Sequence, residues 1–375
     1  MESPPPQVAS SVADAPLPRL LSIQALRGLA AGGVLLGHLF SVERQYSAAP
    51  ILGRWSELGH AGVDLFFVIS GFIMVYVTHA ATHALPRGPG SVPGFLWRRA
   101  SRIYPLYWIV SGAVLAVWLV APDLVFRSRT EDPSLWKSFL LVPQYEFPLL
   151  AVGWTLIHEM YFYLVFAGFL LFARRWLPAL LVGWAAVAVG AWVLLEPRVN
   201  EPVLRLVTNP LTLEFIAGAS VGLWWVGGRR ARRPALALGM LALAVAVLVA
   251  AFLAQGEFYL LLLDPVRRVA WFGSAALLVL AAALVSGWRA GAVSAWAGDV
   301  SYALYLTHVL SVVLLARLWP FWGAGAWGSV LFFALATAFA LLVAHFTHAW
   351  LEQPLLKLAR RVRLPARASA ARLSG

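Results

Sequence analysis

Residues 20–42 read LLSIQALRGLAAGGVLLGHLFSV, an apolar run that carries Arg27 and His38. Crossing a bilayer takes about 20 such residues, and ionisable groups at that depth are costly and tend to mark sites. Arg27 and His38 are eleven residues apart. At about 100° and about 1.5 Å per residue they fall within roughly 20° of one helix face and about 16 Å apart along its axis. That face presents a guanidinium low down and an imidazole high up. The alternative for the pair alone is that Arg27 snorkels to a headgroup and His38 sits at the opposite interface, each satisfied by water.

Of the 375 residues, 61% are hydrophobic and 12% charged, against about 25% charged in a soluble domain. The class is therefore an all-α polytopic membrane protein. The absence of cysteine excludes disulfides, zinc thiolates and cysteine nucleophiles. The net charge is +12, but the basic residues are scattered between apolar runs rather than gathered in one stripe, so no nucleic-acid partner is expected. Ten apolar runs are long enough to span: 20–42, 61–80, 104–121, 151–173, 177–195, 209–227, 234–254, 268–287, 300–318 and 326–349. An even number puts both termini on one side. With that side cytoplasmic, eighteen basic residues lie inside and ten outside, Arg267 and Arg268 among the outer ones, as the positive-inside rule requires. Residues 1–18 read as a disordered cytoplasmic tail, 19–358 as the membrane domain and 359–375 as a basic cytoplasmic tail. The longest outer connection, 122–150, is apolar enough around Leu135–Val142 to dip toward the membrane and line a substrate entrance.

Once direction is fixed, each polar residue within a span acquires a depth. Asp64 of GHAGVDLFFVISGF lies at about the depth of His38, Glu159 of VGWTLIHEMYFYLVF about two turns below the outer end of its helix, and Glu214 of NPLTLEFIAG in the outer half of the sixth span. Burying several carboxylates without purpose costs a few kcal/mol each time, so the helices are expected to enclose a polar cavity. A histidine beside a carboxylate is the usual general base, because the carboxylate fixes the tautomer. Spacing does not say which carboxylate, if any, touches His38. Glu159 is preferred because it sits among Trp154, His158, Tyr161 and Tyr163. For Asp64 and Glu214 the alternative is a helix-terminus or interhelical hydrogen bond.

On the inner side, FLWRRASRIYPLYW places Arg99 and Arg102 at i and i+3 if the helix has already begun. With Arg27 they suit a phosphate-rich cytosolic ligand, because the guanidinium fork matches phosphate oxygens. Arg98 reads as a positive-inside anchor. In GDVSYALYLTHVL, Tyr302, Tyr305 and His308 share a helix face. His308 either lines a passage between the two ends or closes an interhelical hydrogen bond. His60, His345 and His348 read as interfacial.

The segments LLSIQALRGLAAGGVLLGH, GVDLFFVISGFIM, RRASRIYPLYW, VGWTLIHEMYFY and GDVSYALYLTH, followed by LEQPL, stand in the order found in the membrane-bound acyltransferase 3 family. From about Leu20 to Leu358 the chain resembles that family, and especially the bacterial exopolysaccharide O-acetyltransferases. The resemblance implies about ten helices in a bacterial inner membrane, using cytosolic acyl-CoA, with acetyl-CoA foremost, to acylate a hydroxyl of a surface glycan or its lipid-linked precursor. It places the family's arginine–histidine motif on Arg27 and His38 and its acyl-CoA-binding arginine pair on Arg99 and Arg102. His38 would act as general base or carry the acyl group transiently.

Glu159 is the second expected catalytic residue, and Asp64, Glu214, Tyr302 and His308 are candidates for the cavity or acceptor site. Membrane lipid and a polysaccharide-synthesis machinery are implied partners, and no metal is expected. Two positions depart from the family pattern: Leu58 precedes Gly59 where some members have a Gly-Gly pair, and His158 stands where an uncharged residue is common. Some relatives append a soluble hydrolase-like domain. Here transfer is expected to finish in the membrane domain or on a separate protein. The competing readings are a small-molecule acceptor, such as a macrolide or lipid, and a proton-coupled transporter.

Overall fold

The computed structural model describes residues 20–47, 50–51, 58–79, 91–122, 132–195, 201–228, 232–254, 264–288 and 290–361. The tail expected at 1–18, and the second beyond Arg361, lie outside the described residues. All ten expected spans are helical. In chain order the helices are α1 Leu21–Tyr46, α2 Ala61–His79, α3 Ser91–Val120, α4 Leu135–Leu140, α5 Gly153–Phe169, α6 Leu177–Leu195, α7 Pro202–Thr208, α8 Thr212–Val226, α9 Pro234–Ala254, α10 Pro265–Arg268, α11 Ser274–Val285, α12 Ala292–Leu318, α13 Ala326–Thr347 and α14 Gln353–Arg361. Among the described residues nine helices, counting joined segments, are long and apolar enough to cross a membrane. The fourth span, α5, has 17 residues. Helices are the form that satisfies every backbone group within the segment where water is absent.

Several spans differ from the sequence reading, each for a local reason. The helix of the third begins at Ser91 and runs through Pro105, so Arg99 and Arg102 stand one turn apart on α3 itself. The sixth breaks between α7 and α8, where Pro210 has no N–H to give and Asn209 Oδ1 accepts from Leu211 N at 3.0 Å. The eighth begins earlier than expected because Asp264 caps α10 by accepting from Val266 N and Arg267 N, with Pro265 in the first turn. A π-turn at Val269–Gly273 then joins α10 to α11. Part of the long connection at 122–150 forms α4, docked on α3 by Tyr104, Tyr107 and Trp108, which donate to the carbonyls of Leu140, Ser138 and Phe139 at 3.0, 2.7 and 2.8 Å. Those carbonyls belong to the last turn of a six-residue helix, where backbone donors run out, although that of Ser138 also accepts from the capping Leu141 N at 3.3 Å.

Four helices form the centre: α1 lies along α12, α2 along α8, and α1 against α2. Small residues permit this closeness, as in membrane helix pairs generally. A Cβ on Gly218 would fall on the Val68 carbonyl, one on Gly71 on the Phe215 carbonyl, and one on Gly298 on the Gln24 carbonyl. Gly239 of α9, by contrast, faces open space. Gly218→Ala should therefore destabilise the detergent-extracted protein by about 1–3 kcal/mol, the usual cost of overpacking. Gly239→Ala should not lower the thermal midpoint, since alanine is the better helix former. Equal midpoints for the two variants would contradict the close α2–α8 approach.

Candidate active site

α1 brings Arg27 to the protein interior, where it lines a cavity of about 300 Å³ together with Gln24, Ser70, Arg99, Arg102 and Glu159. Tyr163, Tyr302 and Tyr305 complete its polar wall. α3 contributes two arginines because they lie at i and i+3 on one face, and α5 contributes Glu159 and Tyr163 at i and i+4. Three guanidiniums thus face one cavity with a single carboxylate among its lining residues. Arg27 donates to Gln24 Oε1 at 3.2 Å. Arg99 is held between the rings of Phe95 and Tyr163, at 5.7 and 5.8 Å, and its Nε is buried without a hydrogen-bond partner. Arg102 makes no hydrogen bond among the described residues. Arg98 is exposed. Tyr302 is fixed by donating to the Ile103 carbonyl at 2.8 Å, where its ring closes the α3 side of the cavity.

Glu159 does not meet His38. It accepts from Ser70 Oγ at 3.0 Å and from the Tyr163 hydroxyl, which keeps it among the arginines. The hydrogen-bond partners of His38 are the Val34 carbonyl at 2.9 Å and the His308 ring at 3.3 Å, and no carboxylate is among them. The pairing fixes a tautomer. His308 Nδ1 faces the carbonyls of Leu304 and Tyr305, so it carries the proton and its Nε2 is an acceptor. His38 Nδ1 faces a carbonyl and that acceptor at once, so it too carries its proton. The Nε2 of His38 is left with its lone pair, the form a base or nucleophile needs. His60, expected at the interface, instead packs edge-on against His38 with ring centroids 5.4 Å apart.

His38 does not line the arginine cavity. Tyr305 is common to both places: it lines the cavity, its ring lies 6.0 Å from that of His308, and its hydroxyl is bonded to Thr155 at 2.6 Å. Arg27 and His38 therefore face the same interior, with Tyr305 and the Phe66 ring packed on it at the boundary.

Asp64 and Glu214 line no described cavity. Asp64 forms a two-pronged ion pair with Arg268, at 2.8 and 2.9 Å, with side-chain exposures of 0% and 7%. Glu214 is buried against them, in space left by Gly273 of the π-turn. Arg268, assigned to an outer loop from the sequence, is thus an interior residue, and its guanidinium lies over Trp154 at 5.4 Å. The signal that could have found it is the Asp264-Pro265 pair, which starts a helix one turn before it. Glu352, of the LEQPL segment, was also missed. It is buried at a second π-turn and bonded to His348 at 2.7 Å.

The helices thus enclose a basic internal cavity with an imidazole pair beside it. A family model described as "Acyltransferase domain" matches residues 20–347, and the chain belongs to that family, acyltransferase 3. The exopolysaccharide production protein ExoZ of Rhizobium meliloti is 32% identical over 331 residues, covering 86% of this chain and 97% of ExoZ. The acyltransferase MdmB of Streptomyces mycarofaciens is 28% identical over 92% of this chain and 94% of its own. The peptidoglycan O-acetyltransferase OatA of Listeria monocytogenes is 23% identical over 90% of this chain but 56% of OatA. No solved structure matches significantly.

The buried ion pair yields a stability test. Arg268→Met leaves a buried carboxylate unpaired and should cost about 3–5 kcal/mol, whereas removing both charges with Asp64→Leu and Arg268→Met should restore most of that loss. Unfolding of the two single variants and the double variant in detergent checks this. A double variant as unstable as the sum of the singles would deny the pairing.

Proposed function

We propose that the protein transfers an acyl group, foremost acetyl, from cytosolic acyl-CoA to a hydroxyl of a surface glycan or its lipid-linked precursor, in the bacterial inner membrane. The observation that carries this reading is the arginine cavity: three guanidiniums with one lining carboxylate need an anionic ligand, and a planar, multidentate set suits phosphate groups. At about 300 Å³ the cavity is at the small end of small-molecule pockets. It suits the phosphate end of the donor's pantetheine arm, with the bulk of the nucleotide at its mouth. The names of ExoZ and OatA support a glycan as acceptor.

In this reading His38 Nε2 takes the proton of the acceptor hydroxyl as its oxygen attacks the thioester carbonyl. The C–S bond breaks, and the imidazolium returns the proton to the departing thiolate, leaving free CoA and the ester. His308 holds His38 in the tautomer this step needs. For the acyl carbon to reach His38, the Tyr305 and Phe66 rings move aside. Holding both reactants in a dry site supplies much of the rate by positioning. Glu159, with Ser70 and Tyr163, balances part of the arginine charge and orients the donor.

His38→Ala should lower acetyl transfer at least 100-fold, within the range general-base removal produces, in a protein that still unfolds cooperatively well above the assay temperature. Near-wild-type glycan O-acetylation by that variant would overturn the assignment. Because Arg102 makes no hydrogen bond among the described residues, Arg102→Gln should raise the KM for acetyl-CoA about 10- to 100-fold, the worth of one charge-assisted bond of roughly 1.5–3 kcal/mol, and leave folding intact. Orientation has its own check, since the chain lacks native cysteines. In inside-out vesicles, a membrane-impermeant maleimide should label Ala173→Cys and not Asp132→Cys.

A further inference from the structure

A second cavity, of about 200 Å³, lies beside the first turn of α5, at the His38 end of the bundle. We propose that it is a carbohydrate subsite, holding a neutral sugar residue of the acceptor chain next to the residue that is acylated. The assignment of that sugar to the acceptor rests on the transfer reading above.

Unmet hydrogen bonding defines what the cavity takes. His158 Nδ1 donates to the Trp154 carbonyl at 3.0 Å, so its Nε2 is an acceptor, and that atom is buried without a partner. Gln144 donates through Nε2 to Ser138 Oγ at 3.2 Å, and its Oε1 is likewise buried and unpartnered. Both residues line the cavity. Two orphaned acceptors in one place call for a ligand that brings donors, and a sugar brings several O–H groups. A phosphate or carboxylate ligand brings mainly acceptors, and its charge would also face Glu146, which offsets that of Arg205 in the same lining. Tyr145 and Phe147, 66% and 56% exposed, add ring faces for the C–H side of a pyranose. A cavity of this size has room for one such ring and none for a nucleotide.

Position ties the cavity to the transfer centre. Phe67 lines the arginine cavity, and its ring packs 6.4 Å from Trp154 and 6.0 Å from His158, both of which line the second cavity. One layer of rings separates the two. The Arg268 guanidinium lies over the Trp154 ring of that layer.

The test is direct binding, without donor, to the whole protein in detergent. Calorimetric titrations use neutral tetrasaccharides of glucose, galactose and N-acetylglucosamine, with inorganic phosphate as the anionic probe. At least one tetrasaccharide should bind, and His158→Phe and Gln144→Met should each weaken it at least tenfold. His158→Phe removes an orphaned acceptor, and Gln144→Met also gives up the bond to Ser138 Oγ, which keeps Leu149 N as a donor; cooperative thermal unfolding of both variants above the titration temperature would separate lost binding from lost folding. Having the variants on two different elements guards against one local distortion. The proposal is overturned if no tetrasaccharide binds, if both variants bind as the wild type does, or if phosphate displaces the sugar at this cavity. Sugar binding with this dependence, in a wild-type protein that does not consume acetyl-CoA, would overturn the transfer reading and leave the sugar site standing.

Discussion

A charge inside hydrocarbon must find its counter-charge within the protein, and the Asp64–Arg268 pair is where this constraint shapes the molecule most. It ties the start of the second span to the start of the eighth. It also sets the guanidinium against Trp154, so the wall of rings between the two cavities is propped by an ion pair. Glu214 completes the cluster from α8. Four elements, α2, α5, α8 and α10, are thereby held in one arrangement at the His38 end. The pair is too deeply buried to be read as a source of net stability, because desolvation offsets its attraction. Its contribution is to make other packings costly.

The other half of the interior follows a different logic. Around Arg27 the charges are not matched among the lining residues: three guanidiniums meet Glu159 alone. Some of the excess is eased by ring faces, with Arg99 between Phe95 and Tyr163. A site that stays basic in its resting state is pre-formed for an anion, and no rearrangement of charge is required when one arrives. The bundle thus has one end where a buried guanidinium is paired and another where guanidiniums outnumber carboxylates.

Much of this was legible in the sequence, and the failures have a common cause. α1 could be read because helical periodicity alone puts Arg27 and His38 on one face. Arg99 and Arg102 could be paired because they are one turn apart on one helix. The partner of His38 could not be read. It depends on the juxtaposition of α1 and α12, and the nitrogen that meets His38 belongs to His308 rather than to any of the carboxylates at similar depth. Arg268 was lost for a different reason: counting charges in loops assumes that the loops have been delimited, and Asp264 starts the helix earlier than hydropathy does. Depth along a span is available from sequence, but the angle between spans is a property of packing.

The glycine contacts carry a mechanical consequence. Backbone touches backbone between α1 and α12, between α2 and α8, and between α1 and the start of α2, where a Cβ on Gly62 would fall on the Ala30 carbonyl. Helices meshed this way have no slack, so Arg27, Ser70, Tyr302 and Tyr305 sit on a fixed jaw. Among the described residues the glycines of α3 and α5 make no such backbone contact with the centre. Arg99, Arg102, Glu159 and Tyr163 stand instead on helices tied to the centre through side chains, as Glu159 is to Ser70 and the Ile103 carbonyl to Tyr302, so one wall of the cavity is set by backbone contact and the other by side-chain contact.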